Sequence, residues 1–325
     1  MFYPTYTVAI RTLGKAGEAY RTLIQSLEEQ EIKPESINVY LAEGYPQPEQ
    51  VGSEIYYTCP KGLATQRALP FQEIETEYIL FLDDDLYLPP DTVKKLFDGV
   101  LSKCGDCISP NIYPNHQWDL KHKLVQGLFY STWPSLSGRY AFRIRCSSYY
   151  SYSVIPQMVM RSQSCAGACM LMKTQVYHAM NYKEEIWLDN VAYATGQDQV
   201  FAYKLHRYGY KLLIHFDTPI KHLDARSGHL KNQELAETNR RMVRFIIWYR
   251  TVFQPDRGLK KVWDIICFVS NWTFNFLLCF IAFLKGKGTS RIRIPIRAIK
   301  EGVNLINSKE FLAIPQWKTQ DRIYE

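Results

Sequence analysis

The chain has 325 residues, of which 46% are hydrophobic and 22% charged, a balance that excludes wholesale disorder and allows one large domain with an appendage, or two domains. The net charge of +7 hides an asymmetry: residues 1–101 hold 16 acidic and 8 basic side chains, residues 102–325 hold 31 basic and 16 acidic. A basic second half suits nucleic acid, an anionic membrane or a phosphorylated ligand.

From the amino terminus, MFYPTYTVAIR lacks a basic segment followed by an apolar run, so no signal peptide is expected and a reducing, cytoplasmic setting is the default. Thr5–Ile10 reads as a strand, and Ala19, Tyr20, Leu23, Ile24 and Leu27 then recur at helical spacing before Pro34. Ile37–Ala42 reads as a second strand, giving the strand–helix–strand order that seeds a parallel sheet with helices on its faces. Tyr78-Ile-Leu-Phe-Leu82 has the apolar continuity of a central strand buried on both sides. It ends in Asp83-Asp84-Asp85, after which Asp91 is placed to cap a helix carrying Val93, Leu96, Phe97 and Val100. Eight scattered cysteines make no disulfide framework, and the Cys104/Cys107 pair lacks the second ligand pair that zinc would need. Residues 110–165 show little periodicity and read as long loops around a site. Ala168–Met172, Gly196–Tyr208 and Tyr210–Phe216 read as strand, helix and strand, and the character of the chain changes beyond about Arg226.

Arg240–Phe253 is amphipathic, and Val262–Leu284 is a nearly apolar run long enough for a bilayer but interrupted by Asp264, Ser270, Asn271, Thr273 and Asn275. Lys260 and Lys261 precede it and Lys285, Lys287, Arg291, Arg293 and Arg297 follow, which fits an interfacial or re-entrant helix pair on anionic lipid better than an oriented span. A buried core or dimer helix is the alternative. The expected partner of the basic half is therefore a membrane surface, at the cytoplasmic face, and not nucleic acid.

Three adjacent carboxylates repel one another unless a cation or solvent relieves them. In open α/β sheets ligands bind beyond the carboxyl ends of strands, where Asp83–Asp85 stand, and carboxylate oxygens suit Mg²⁺ or Mn²⁺. An acidic turn capping the following helix would use the same residues without metal; the position after an apolar strand favours the cation.

The order of these motifs resembles the family 2 glycosyltransferases, over roughly residues 5–225. Lys61-Gly-Leu-Ala-Thr-Gln-Arg67 is similar to the family's segment before the metal motif, Asp83-Asp84-Asp85 to its D-x-D motif, Cys165-Ala-Gly-Ala-Cys169 to its small-residue acceptor-side turn, and Gly196-Gln197-Asp198-Gln199 to its acidic catalytic motif. The resemblance implies the GT-A fold, a Rossmann-like, mostly parallel α/β sheet with helices on both faces, here followed by a helical membrane-associated segment. It implies a nucleotide-sugar donor carrying UDP or GDP. It implies donor contacts from Glu43, Lys61, Arg67, Asp83 and Asp84, with Glu43 standing where the family has a base-recognising acid. Asp85 and His222 would be metal ligands for Mn²⁺ or Mg²⁺, Gly167 and Gln197 would lie on the acceptor side, and Asp198 would be the catalytic base.

The chemistry demands the same residue types. A departing diphosphate gains negative charge, which a divalent cation or basic side chains such as Lys61 and Arg67 can stabilise. The acceptor hydroxyl must lose a proton to a positioned carboxylate, and Asp198 at a helix start is favoured in its charged form.

Residues 1–225 are thus expected to form the catalytic domain and 226–325 a basic, partly hydrophobic helical region at the membrane. The expected activity is inverting, metal-dependent transfer of a sugar to a hydroxyl of a glycan or lipid-linked acceptor, as in polysaccharide biosynthesis. Two other readings stay open. A nucleotidyltransferase would use Arg11-Thr-Leu-Gly-Lys-Ala-Gly17 as a glycine-rich triphosphate loop, and a catalytically silent membrane-associated binding module would need the acidic turn only for structure.

Overall fold

The computed structural model describes residues 2–112, 124, 127, 139–152, 157–191, 195–223 and 233–317. The chain begins with β1 (Tyr6–Thr12), α1 (Glu18–Glu28), β2 (Ser36–Ala42), β3 (Ile55–Cys59), α2 (Leu63–Arg67), β4 (Tyr78–Asp83), β5 (Leu86–Tyr87), α3 (Thr92–Ser102) and β6 (Cys107–Pro110). Then come β7 (Phe142–Ile144), β8 (Tyr150–Tyr152), β9 (Val159–Arg161), β10 (Cys169–Lys173), β11 (Leu212–His215) and β12 (Lys221–His222). Eight strands form one sheet in the order β3-β2-β1-β4-β10-β6-β11-β9. The first four run parallel, β10 is antiparallel to both neighbours, and β6 and β11 are parallel to each other.

Alternation along the strands divides the core in two. Val8, Ile10, Val39, Leu80 and Leu82 pack against α1 and α3 on one face. Ala9, Tyr40, Ile79 and Phe81 point to the other, where α2, the Gln197–Arg207 helix and the carboxy-terminal helices cover them. Helices therefore lie on both faces, and the central strand is buried on each, as its unbroken apolar run requires.

Several sequence expectations change. Asp91 precedes α3, but its side chain makes no cap; its carboxylate pairs with Lys95 one turn on. The region 110–165 is not loop throughout, since β7, β8 and β9 fall within it. Strand β3 lies at the sheet edge and is half-exposed, so its residues IYYTC carry no continuous apolar signal. All eight cysteines are free, with Cys107 buried in β6 and Cys104 exposed at the end of α3.

Beyond the sheet, the helix Gln233–Ile247 runs directly into a π-helical turn, Trp248–Phe253. Helices Gly258–Leu284, Ser290–Ile306 and Lys309–Leu312 follow. These elements share one core with the sheet: Val243, Ile246, Trp248, Phe268, Ala298, Phe311 and Trp317 join Phe81, Met170 and Phe201 in a single cluster. A buried ionic node pins them. Glu185 accepts from Arg250 Nε at 2.7 Å and Nη2 at 2.8 Å, from Lys204 Nζ at 3.2 Å, and from the indoles of Trp187 and Trp317 at 2.8 Å. These donors hold the Glu185 carboxyl down at about 2 although burial alone would raise it.

Val262–Leu284 lies within one continuous helix, the one helix among the described residues long and apolar enough to cross a membrane. Two of its polar interruptions are explained by orientation, while Ser270 and Thr273 are exposed and Asn275 is half-buried. Asp264 and Asn271 are turned inward with Cys267 and Phe268, while Leu259, Val262, Trp263, Ile266, Val269, Leu277 and Ile281 face outward. A soluble amphipathic helix would show the reverse distribution.

Candidate active site

The acidic triplet resolves its repulsion by pointing in three directions. Arg11 and Asp83 are register partners on adjacent parallel strands, so both side chains emerge on the same face, and Arg11 Nη2 lies 2.6 Å from Asp83 Oδ1. Asp84 emerges on the opposite face and accepts from the Thr12 hydroxyl, which in turn accepts from the Gly14 amide at 2.8 Å. Burial, with Asp83 and Asp85 beside it, pushes the Asp84 carboxyl up to about 6 against the Thr12 hydrogen bond. Asp85 turns to the rim. There β5 pairs antiparallel with β12, setting His222 opposite Leu86, and His222 Nε2 lies 3.5 Å from Asp85 Oδ1. The Leu223 amide donates to the Asp85 carbonyl at 2.8 Å, fixing that corner.

On the face below Asp83, α2 carries Arg67 into the interior. Asp189 holds the start of α2, accepting from the amides of Ala64 and Thr65 at 2.9 and 2.8 Å and from the Thr65 hydroxyl at 2.7 Å. Gly62 has φ +150, and a Cβ there would stand 2.3 Å from Asp189 Oδ2, so glycine is what lets the cap close. Arg67 is 2% exposed. Its Nε donates to Gln197 Oε1 at 3.2 Å, and its Nη2 to Asp198 Oδ1 at 3.0 Å and to the Gly167 carbonyl at 3.2 Å. The guanidinium also lies over the Phe201 ring, 5.1 Å from its centroid.

Asp198 is the second residue of the Gln197–Arg207 helix, in its first turn, with its side chain 39% exposed. Gly167 has no room for a side chain: a Cβ would meet Asp198 Oδ1 at 1.9 Å and Arg67 Nη2 at 2.5 Å. Burial opposes the Arg67 charge, but Asp198, Tyr182 and Asp83 overcome it and raise its value. Arg11 is lowered, chiefly by burial and then by Arg67, with Asp83 and Asp198 opposing. Two arginines and two aspartates thus share one buried electrostatic cluster whose open side is Asp198.

Four residues singled out from the sequence, Arg67, Gly167, Gln197 and Asp198, meet in direct contact. Asp85 and His222 meet at the rim, and Asp83 connects to the first group through Arg11. Glu43 and Lys61 lie apart from both groups. Glu43 is exposed just beyond β2, its amide donating to the Cys59 carbonyl at 2.8 Å. Lys61 is exposed before α2, its Nζ 5.1 Å from the centroid of the Tyr45 ring; Lys15 Nζ lies 4.8 Å from the same centroid. Lys61, ahead of Lys15, lowers the Tyr45 phenol below its usual value. Arg11, Thr12 and Lys15 were singled out only as part of a triphosphate loop in the nucleotidyltransferase alternative, and Tyr45 was not expected at the site.

Arg11 is not in a glycine-rich loop. It is buried near the end of β1 and paired with Asp83. Among carboxylates on neighbouring segments, Asp189 is spent on the α2 cap and Asp217 is exposed, 3.6 Å from Lys95. Asp224 lies outside the described residues. No group of three or more His, Cys, Asp or Glu suited to a metal occurs among the described residues. The Asp85–His222 pair nevertheless offers one hard oxygen and one imidazole nitrogen, the kind of partial set that Mg²⁺ or Mn²⁺ completes with phosphate oxygens and water.

Residues 42–158, from the end of β2 through the acidic triplet, match the family described as glycosyl transferase family 2. No curated protein gives a significant match to the whole sequence. Among solved structures, GalNAc-T7 with UDP, GalNAc and Mn²⁺ aligns with a TM-score of 0.50 at 12% identity, over 76% of this chain. This chain spans about half of that protein, 51% of it. S. aureus TarS 1-349 in complex with UDP-GlcNAc aligns with a TM-score of 0.51 at 12% identity, over 93% of this chain and 81% of that one. Full S. aureus TarS aligns at 0.52 and 12% identity, over 94% of this chain and 50% of that one. At such identities the likeness is one of fold, the GT-A fold. The matched segment carries the acidic triplet at the carboxyl end of that fold's central strand, so residues 42–158 are similar to family 2 glycosyl transferases and the likeness over the rest of the chain is one of fold.

Proposed function

We propose that the chain is an inverting, metal-dependent transferase that moves a sugar from a nucleoside-diphosphate donor to a hydroxyl of a glycan or lipid-linked acceptor at a membrane surface. The observation that carries this reading is the arrangement of Asp198: a half-exposed carboxylate at a helix start, oriented by a buried arginine, on the same end of the sheet as the Asp85–His222 pair. The solved proteins of like fold bind UDP or UDP-sugars, and one holds Mn²⁺, which supports a nucleotide-sugar donor here.

In this reading Asp85 and His222 would hold Mn²⁺ or Mg²⁺, which when bound supplies Lewis acidity toward the departing diphosphate. Asp83, held by Arg11, presents its remaining acceptor capacity toward the donor. Asp84, turned inward to Thr12, sets the strand end rather than meeting the nucleotide. Lys15 and Lys61, both over Tyr45, would bring positive charge to the nucleotide, and Glu43, just beyond β2, would be the acid for its base. Asp198 takes the proton of the acceptor hydroxyl as that oxygen attacks the sugar carbon and the carbon–diphosphate bond breaks. A single carboxylate serving the attacking oxygen is what one-step displacement with inversion requires. Arg67, Gln197 and Gly167 position that carboxylate. Residues 226–325 form the membrane-facing part, with the outward apolar surface of the Gly258–Leu284 helix and its basic flanks toward anionic lipid at the cytoplasmic face.

Calorimetry of the full chain with uridine and guanosine diphosphates, with and without Mn²⁺, followed by turnover of a panel of nucleotide sugars, tests the reading. Metal-dependent diphosphate binding together with transfer from a nucleotide sugar is expected. Binding that ignores metal, or turnover of a triphosphate instead, overturns it.

A further inference from the structure

A second cavity, of about 280 Å³, opens where the helix Gln233–Ile247 crosses the start of the Gln197–Arg207 helix. The two approach closely because residue 196 is glycine: with φ +85, a Cβ there would stand 2.6 Å from Ile247 Cδ1. Arg240, Arg241 and Arg244 line the cavity with Glu237 as the one acidic side chain, a surplus of two positive charges. Arg241 Nε donates to Glu237 Oε1 at 2.9 Å, and Arg240 Nη2 lies 3.4 Å from Glu237 Oε2. Arg244 is fixed more firmly, donating to Gln199 Oε1 at 2.9 Å and to the Ser148 carbonyl at 2.8 Å while lying over the Tyr149 ring.

The fourth wall is decisive. Trp272 and Asn275 come from the Gly258–Leu284 helix, whose neighbouring residues Val269, Leu277 and Ile281 are exposed and apolar. The cavity therefore sits at the seam between a cationic pocket and an apolar outer surface. Its volume falls just below the range of ordinary small-molecule pockets, so it suits a compact head group and not a second nucleotide sugar. Asp198 lies in sequence between two of its lining residues, Gly196 and Gln199, on the same helical turn.

We propose that this cavity binds the phosphate monoester head of a membrane lipid, with the apolar chain running along the outer face of the Gly258–Leu284 helix. The assignment goes beyond the transferase reading above by naming the lipid that docks the chain beside the helix start bearing Asp198. A dianionic phosphate matches the surplus charge, and its tail matches the adjoining surface. Phosphate contacts of arginine are charge-assisted and geometrically specific, which separates this pocket from a diffuse basic face.

The test uses the full chain and Arg240→Gln/Arg241→Gln, the first an exposed and the second a half-buried side chain. Flotation is measured with phosphatidylcholine vesicles containing phosphatidic acid, or phosphatidylglycerol at equal surface charge, with inorganic phosphate as competitor. The expected result is a loss of tenfold or more on phosphatidic acid vesicles, less than threefold on phosphatidylglycerol, and unchanged Mn²⁺-dependent diphosphate binding and melting temperature. Equal losses on both lipids, or no loss, overturn the site. Full competition by millimolar inorganic phosphate overturns the lipid as its source. If wild type binds no diphosphate while the lipid selectivity holds, the transferase reading fails and the phosphate site stands.

Discussion

At the residue scale, Asp198 separates proton transfer from binding. Asn keeps its size and its hydrogen bond to Arg67 but cannot take a proton. Asp198→Asn should therefore lower single-turnover transfer by roughly 10²–10⁴ while donor affinity stays within a small factor of wild type, and the turnover rate and specificity constant should fall together. Near-normal transfer would remove Asp198 from the mechanism. The metal pair makes a different prediction. Asp85→Asn should abolish the Mn²⁺ dependence of diphosphate binding without unfolding the chain, because Asn keeps the size of this largely buried side chain, and His222→Ala should do so more mildly. Unchanged affinity in both variants, read by calorimetry, would refute the pair. Gly167→Ala tests the geometry between these groups. The added methyl collides with Asp198 and Arg67, so transfer should fall and stability should drop by about 1–3 kcal/mol, with diphosphate affinity retained.

At the scale of elements, the site depends on buried charges that no short-range pattern supplies. Glu185 ties the segment before the catalytic helix to the π-helical turn and to Trp317. Glu185→Gln leaves Arg250 buried without its counter-charge, while Lys204 keeps Glu184 at 2.8 Å, and should cost about 3–5 kcal/mol in chemical denaturation. The pH dependence follows from the sign of its shift. The folded carboxyl lies near 2 against an ordinary 4.5, so its stabilisation is fully present above about 4.5 and is lost as pH falls toward 2. Wild-type stability should decline across that window more steeply than that of Glu185→Gln. Parallel slopes would show that the node contributes nothing through this carboxylate. Helix α2 is a second such case: its five residues could not stand alone, and Asp189, more than a hundred positions away, holds its start.

For the whole molecule, the carboxy-terminal helices both complete the core and carry the exposed apolar surface. Removing everything after Pro255 would strip Phe268, Ala298, Phe311 and Trp317 from the core beneath the sheet, so truncation tests folding rather than membrane binding. Replacing the exposed residues Leu259, Trp263 and Ile266 by Ser leaves that core intact. Each side chain is worth roughly 1.5–3 kcal/mol when transferred from water to an apolar phase, so affinity for anionic liposomes should fall by far more than tenfold with little change in melting temperature. Wild-type protein that ignores such liposomes at low salt would make this surface an oligomer contact instead.

The local order of the chain determined the amino-terminal, parallel half of the sheet. Tyr78–Leu82 had to be a central strand because only burial on both faces suits an unbroken apolar run, and the helix spacing of Tyr20, Leu23, Ile24 and Leu27 needed no partner to be seen. The acidic triplet and Asp198 were legible as chemistry through their positions at a strand end and a helix start. Partners distant in the chain were not. The pairing of Arg11 with Asp83, the Asp189 cap, the Arg67 fork and the Glu185 node join residues separated by tens to more than a hundred positions, and polar side chains advertise no long-range partner in sequence. Tertiary structure also decided which way the last apolar helix faces. Composition counts Asp264 and Asn271 as interruptions wherever they point; only packing against the core turns them inward and leaves the apolar side free.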